Sequence, residues 1–225
     1  MPRLTWGETG KRIFTTGIDR GVLFVGENVV PWNGLVSVEE KPNVSKKHEV
    51  YIDGIKVVNA SGPEETTLTL SAFYSPPEFD ECDGTLDNGM GIILHNQVRK
   101  EFALSYRTLL GNDLKGTEFG YEIHLIYNAL ATPSGRSMNT IGQDVELEPL
   151  SWDISTRPIA VPDGFAPTAH LTLSSLRTSP NNLAYFERML YGTESSYPQM
   201  PDPVAVLELQ AQTYGTAVYG TTPYA

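Results

Sequence analysis

The chain has 225 residues, a formal net charge of -11, 40% hydrophobic residues and 19% charged ones. That mix describes a folded chain long enough to bury a substantial core as one all-β unit, and excludes an intrinsically disordered one. The acidity makes the chain a poor candidate for gripping phosphates through Lys and Arg, and no apolar run reaches the roughly 20 residues that cross a bilayer as a helix. Twenty glycines and 16 prolines give frequent chain reversals, which suits many short strands. The single cysteine, Cys82, excludes an internal disulfide and reads as a buried, inert thiol. The N-terminal MPRLTWGETGKR lacks the apolar segment of a signal peptide, so the expectation is a protein made and kept in a cytoplasm. Charge is uneven along the chain: residues 1–60 carry +1 and residues 61–225 carry -12.

In chain order, residues 1–20 are polar and punctuated by glycine. Val22–Val25 reads as a short strand, and Asn28–Gly34 (NVVPWNG) as a turn with Trp32 laid on the core. Leu35, Val36 and Val38 continue as a strand. Glu39–Glu49 (EEKPNVSKKHE) has the composition of a long exposed loop. Val50–Asn59 reads as a hairpin about Asp53-Gly54, the strongest turn signal in the chain. Thr66–Tyr74 alternates, with Leu68, Leu70, Ala72 and Tyr74 inward, until Pro76-Pro77 ends it. Glu78–Gly84 (EFDECDG) is acidic and loop-like.

The stretch Phe102–Tyr127 organises the rest. Phe102, Leu104 and Tyr106 share one face of a first run, and Tyr121, Ile123, Leu125 and Tyr127 one face of a second. Glu122, His124 and Asn128 take the other face, with Ile126 as the exception. Joined by a Gly/Asn/Asp loop, the two runs predict a β-hairpin with one buried and one solvated face at the centre of an antiparallel sheet. Thr132–Asn139 reads as a loop. Glu146–Thr156 returns as a strand with Leu150, Trp152 and Ile154 inward, Pro149 arguing for an edge or bulge. Thr168–Ser174 alternates with Ala169, Leu171 and Leu173 inward. One helix is predicted over about 180–191: Ser179 caps it, Pro180 suits its first turn, Leu183, Phe186, Met189 and Leu190 form its apolar stripe, and Gly192 closes it. The predicted fold is therefore mainly β, an antiparallel β-sandwich or barrel with one flanking helix and long assembly loops. Residues 1–203 are expected to form one domain, and 204–225 a C-terminal strand with a Tyr/Gly/Thr-rich tail or arm.

Motifs for chemistry are sparse. Gly7-Glu-Thr-Gly10-Lys11-Arg12 has the wrong spacing and the wrong last residue for a phosphate loop. Glu78, Asp80, Glu81, Asp83 and Asp87 offer carboxylates that a hard cation favours, but in no EF-hand order, and read better as a solvated face or a charge-complementary contact. His48, His95, His124 and His170 are far apart, and His124 and His170 fall on the polar faces of predicted strands. There is no G-x-S-x-G elbow. No catalytic, cofactor or metal residues are assigned. The charge pattern remains. Lys41, Lys46 and Lys47 stand on one exposed loop, and Glu78, Asp80 and Glu81 on another with no local partners. Such loops are either merely solvated or meet head to tail between copies, a contact that builds rings or tubes.

The phrases TGIDRGVLFV, VPWNGLVSV, YIDGIKVVN, EFDECDGT, LSYRTLLGNDLKGTEFGYEIHLIYNALATPS and LSWDISTRP resemble the major tail proteins of long-tailed, non-contractile bacteriophages, especially those of actinobacterial hosts. The resemblance covers about residues 15–192 and rests on no catalytic motif. It implies a structural subunit without enzyme activity: a β-sandwich with a flanking helix, six copies to a ring, and rings stacked into a tube whose bore carries DNA without binding it specifically. It implies inner strands joined into a continuous barrel, and a long loop, placed by analogy at Glu39–Glu49, that reaches the next ring. Expected partners are further copies of the chain, a tape measure protein and tail terminator or tail-end proteins. The expected location is the virion tail, after assembly in the host cytoplasm. Three other readings stand beside it: another virion component at the tail end or head surface, a carbohydrate-binding β-sandwich using Trp6, Trp32 or Trp152, and, least favoured, a hydrolase.

Overall fold

A computed structural model describes residues 5–43, 48–52, 55–60, 65–136, 138, 140, 147–161 and 165–214. The strands are β1 (Ile13–Val25), β2 (Asn28–Pro31), β3 (Leu35–Asn43), β4 (His48–Ile52), β5 (Ile55–Ala60), β6 (Glu65–Ala72), β7 (Leu86–Asp87), β8 (Ile93–Leu94), β9 (Phe102–Asn112), β10 (Gly116–Pro133), β11 (Leu150–Thr156) and β12 (His170–Ser174). The helices are α1 (Asp80–Asp83), α2 (Pro180–Tyr191) and α3 (Pro203–Tyr214). Eight strands form one antiparallel sheet in the order β2-β1-β9-β10-β11-β6-β3, with β12 also paired to β10. The mainly antiparallel β architecture with a flanking helix is as the residue pattern indicates.

The sheet bends on β10. Its residues Glu122–Ile126 pair with β12, and Ala129–Pro133 pair with β11. Between them the β9 register slips, and Asn128 takes a φ of +45°. A bulge of this kind adds twist and lets one long strand serve two wings. The wings enclose a first core, in which Leu23 and Val25 of β1, Phe102, Leu104 and Tyr106 of β9 and Ile126 of β10 meet Leu68 and Leu70 of β6 and Trp152 and Ile154 of β11. A second core lies on the other side of the same strands, where Val22, Phe24, Ile123, Leu125 and Tyr127 are covered by Leu183, Phe186 and Leu190 of α2 and Val206 of α3.

The central hairpin is thus buried on both faces, and the solvated face expected for it does not exist. Antiparallel partners point the same way, and Leu104 stands opposite Ile126, Tyr106 opposite His124, Ser105 opposite Leu125. The apolar faces of β9 and β10 therefore look into different cores. Ile126, out of phase with its neighbours, belongs to the first core and His124 accompanies it.

The acidic stretch expected to be a loop is a 3-10 turn (Pro77–Phe79) running into α1, and its inner residues are fully buried. Phe79 is the hub of the first core, its ring centroid 4.6 Å from Trp32, 5.2 Å from Trp152 and 5.3 Å from Phe102. The indole N–H groups are satisfied: Trp32 donates to the Tyr74 carbonyl at 2.8 Å and Trp152 to Asp83 Oδ1 at 3.0 Å. Cys82 sits beside them, its thiol pushed up to about 12, chiefly by burial, which makes it as inert as expected. Tyr74, assigned inward by alternation, lies beyond the end of β6 and is exposed.

Helix α2 spans the predicted residues. The Ser179 hydroxyl accepts from the Asn182 N–H at 3.3 Å, Pro180 opens the first turn, and Gly192, at a φ of +73°, ends it in a conformation a side chain would strain. The C-terminal strand expected from residue 204 is instead helix α3. Asp202 Oδ1 caps it by accepting from the Val204 N–H at 2.8 Å, and Tyr127 ties its start down by donating to the Pro201 carbonyl at 2.9 Å. Residues 215–225, the Tyr/Gly/Thr tail, lie outside the described residues. Among the described residues no helix is long and apolar enough to cross a membrane.

Candidate functional site: the β3 edge and the surfaces around it

Strand β3 ends the main sheet and, among the described residues, pairs only with β6, from Leu35↔Ala72 out to Asn43↔Glu65. The long loop expected at Glu39–Glu49 is therefore strand as far as Asn43 and strand again from His48. Beyond Asn43 the chain builds the hairpin β4–β5, with Ile52 opposite Ile55 and Asp53-Gly54 outside the described residues. That hairpin is a two-stranded sheet of its own.

Alternation along β3 sets two different faces. Lys41 points outward, where its ammonium donates to Thr69 Oγ1 at 2.8 Å and stands 4.0 Å from Glu39. Lys46 and Lys47 lie outside the described residues. Of the acidic candidates, Glu78 and Asp80 are half-buried on the outer side of the turn whose inner residues are Phe79 and Cys82. Burial and the neighbouring carboxylates of Asp83, Asp87 and Glu78 raise the Asp80 carboxyl. Glu81 is exposed and ion-paired with Lys100, so the acidic loop does have local partners, contrary to expectation.

Glu40 points the other way, into the mouth of the sandwich, opposite the buried Leu68. There it meets residues from three other strands. Tyr106 of β9 donates its hydroxyl to Glu40 Oε1 at 2.8 Å and stacks on the His124 ring, centroids 4.6 Å apart and planes 3° from parallel. His124 of β10 has Nδ1 3.0 Å from Nε2 of His170 on β12, and Nε2 2.9 Å from the Thr108 hydroxyl. Glu40 Oε1 is 3.6 Å from His124 Nδ1, and Glu40 Oε2 is 3.8 Å from His170 Nδ1. Burial, helped by the second imidazole, lowers His124 to about 4, and burial lowers His170 as well. Both rings are therefore neutral at pH 7. Their expected placement on solvated strand faces is overturned.

Glu40, Tyr106, His124 and His170 carry no motif, because they come from four strands. The one cue in the sequence is Ile126: an aliphatic residue in phase with His124 marks that face of β10 as buried.

A second exposed region is apolar. Between α1 and β9 the chain makes the small hairpin β7–β8, again a separate two-stranded sheet, and presents Met90 (83% exposed), Ile92, Ile93, Leu94 and Val98 (94% exposed). Of the aromatics considered for sugar binding, Trp32 and Trp152 are each 3% exposed and closed off in the first core, leaving Trp6 on the surface.

No family model and no curated protein matches the chain. Solved structures do. A chain of the sheath–tube complex of an extracellular contractile injection system (PVC) in its extended state matches at 17% identity over 69% of this chain and 88% of that one, with a TM-score of 0.26. A chain of the anti-feeding prophage (AFP) baseplate matches at 13% identity over 76% and 97%, with a TM-score of 0.34. At these scores the likeness fixes no shared role.

Proposed function

We propose that the protein is a self-assembling structural subunit of a phage tail tube, forming stacked rings whose bore conducts DNA. The observation that carries this reading is the pair of hairpins, β4–β5 and β7–β8, that among the described residues share no strand pairing with the main sheet. A lone two-stranded hairpin is marginal in water, and a run of exposed apolar side chains such as Met90–Val98 marks an interaction surface. Both are accounted for if neighbouring copies cover them. The phrases shared with major tail proteins supply the rest of the proposal: six copies to a ring, an acidic subunit whose like charge keeps DNA from sticking, and assembly with a tape measure and terminator in the host cytoplasm. In this reading β4–β5 is the arm that reaches the next ring, and Lys41, Lys46 and Lys47 meet an acidic surface there, that of Glu78, Asp80 and Glu81.

Electron microscopy at rising concentration, beside sedimentation, is expected to show rings or hollow tubes of uniform width. A chain that stays monomeric at every concentration and does not add to preformed tail ends overturns the reading. Reversing Lys41, Lys46 and Lys47 to Glu is expected to abolish stacking and leave the subunit folded. Stacking should also weaken with salt, since the screening length falls to about 3 Å at 1 M. Tubes of unchanged length and yield from the triple variant remove the charge contact and leave the arm itself to be tested.

A further inference from the structure

We propose that Glu40, His124 and His170 bind one divalent transition-metal ion, zinc by preference, at the mouth of the sandwich. Among the described residues these three form a group whose ligand atoms all lie within 4.8 Å of one another. Two imidazoles and a carboxylate are the donor set that suits zinc, and a fourth position is left for water or a hydroxyl.

The distances fit. Donors held about 2.0–2.1 Å from a tetrahedral ion stand about 3.3–3.4 Å from one another. His124 Nδ1 and His170 Nε2 are 3.0 Å apart, and Glu40 Oε1 is 3.6 Å from His124 Nδ1. The Thr172 hydroxyl is 3.5 Å from His124 Nδ1 and 3.3 Å from His170 Nε2, which places a fourth oxygen at the same spacing. The remaining edge, from Glu40 to His170, lies within 4.8 Å, and a turn of the half-exposed Glu40 carboxylate closes it onto one ion.

The surrounding bonds prepare the ligands. The Thr108 hydroxyl, 2.9 Å from Nε2, can accept a proton held there, and in that tautomer the His124 Nδ1 lone pair faces His170. Moving the His170 proton from Nε2 to Nδ1, where Glu40 Oε2 stands 3.8 Å away, aims a second lone pair at the same point. No net proton is released. Tyr106 fixes the carboxylate by donating to Glu40 Oε1 at 2.8 Å. Partners on the far side of metal-bound imidazoles and carboxylates do this orienting work in known sites. The ion would join the edge strand β3, where the β4–β5 hairpin begins, to β10 and β12. The inference rests on these contacts and does not depend on the tail-tube reading.

The test uses the full chain without a histidine tag, stripped by chelator and dialysed against cobalt(II), then zinc(II). The expected result is one equivalent of cobalt with the intense visible absorption of a four- or five-coordinate ion, displaced by one equivalent of zinc. Glu40→Gln, at a side chain close to half exposed, keeps the fold by circular dichroism and loses that spectrum. Thr108→Val weakens binding about 10–100-fold. Folded wild-type protein that takes up no stoichiometric metal overturns the proposal. So does cobalt bound with a weak octahedral spectrum, or bound equally by Glu40→Gln, since His48 or His95 would then be the ligand.

Discussion

The body of the sheet and the two hairpins outside it are built from the same kind of strand, yet they are finished differently. In the body the long strands β1, β9 and β10 have partners on both edges and cores against their faces: β10 alone joins β9, β11 and β12 and contributes to two clusters of buried side chains. Among the described residues the hairpins β4–β5 and β7–β8 pair only within themselves, and β7–β8 carries its apolar residues exposed. Under the proposed tube reading, the difference separates stability from association: the body holds the subunit together, and the hairpins are what neighbouring copies would cover.

The largest effect is expected where that separation is cut. Asn43 and Glu65 are paired neighbours at the outer end of β3 and β6, so an Asn-Gly turn replacing residues 44–64 closes the hairpin directly. We expect this variant to lose tube formation completely in sedimentation and microscopy, while its thermal midpoint moves by no more than about 2–4 °C. Tubes of normal length would show that β4–β5 is no stacking arm. A collapse of stability would show that the hairpin belongs to the body.

The converse change lies in the body. Phe79 touches three aromatic rings and is fully buried, so Phe79→Ala leaves a cavity at the hub of the first core. The expected loss is about 3–5 kcal/mol in denaturant unfolding. Met90→Ala, at an exposed position on the β7–β8 hairpin, is expected to cost less than about 0.5 kcal/mol in the subunit and to reduce assembly instead. Equal losses from the two would erase the distinction between body and hairpin.

The same contrast explains what the sequence discloses. Alternation in β6, β11 and β12 and the cap, proline and apolar stripe of α2 are local signals, and they give the right elements in the right places. The central hairpin is different. Its two apolar runs are visible, but the register that sends them into separate cores is a pairing of residues about twenty apart, and period-two reading assigns both runs to one face. Phe79 hides in an acidic stretch because its neighbours supply the surface while it supplies the core; Cys82 beside it is legible as buried from residue type alone. The polar cluster draws one residue from each of β3, β9, β10 and β12, so no spacing reveals it. Helix α3 could have been found: Asp202-Pro203 is the same cap-and-proline signal as Ser179-Pro180, followed by a run that reads equally as strand.

Acid tests the mouth of the sandwich against the rest of the body. His124 titrates near 4 in the folded chain against an ordinary value of about 6.5, and His170 is lowered too. Groups facing them are Glu40, Tyr106, Thr108 and Thr172. Because the unfolded chain takes up these protons first, stability is complete above about pH 6.5 and falls as the pH drops toward 4, by up to about 1.4 kcal/mol per pH unit for each imidazole. In chelator-treated protein, denaturant midpoints measured down this range should show that slope, and His124→Gln should flatten it. A wild-type slope near zero would mean that the rings are not buried as neutral bases.

The smallest difference expected is between the two helices on the second core. Both are capped by a side-chain oxygen, Ser179 for α2 and Asp202 for α3. The first buries Leu183, Phe186 and Leu190, whereas the second places Val206 in the same cluster. A cap deletion costs about 1 kcal/mol of helix stability wherever it is made, but how much reaches the whole molecule depends on how firmly the helix is coupled to it. Ser179→Ala is therefore expected to lower global stability by about that amount. Asp202→Ala should leave the unfolding midpoint nearly unchanged and appear as faster amide exchange confined to α3, because a helix joined to the body through Val206 and the Tyr127–Pro201 contact opens before the body does. If both variants shift the midpoint alike, α3 belongs to the cooperative unit, and Tyr127, whose hydroxyl holds Pro201, is the contact that couples it.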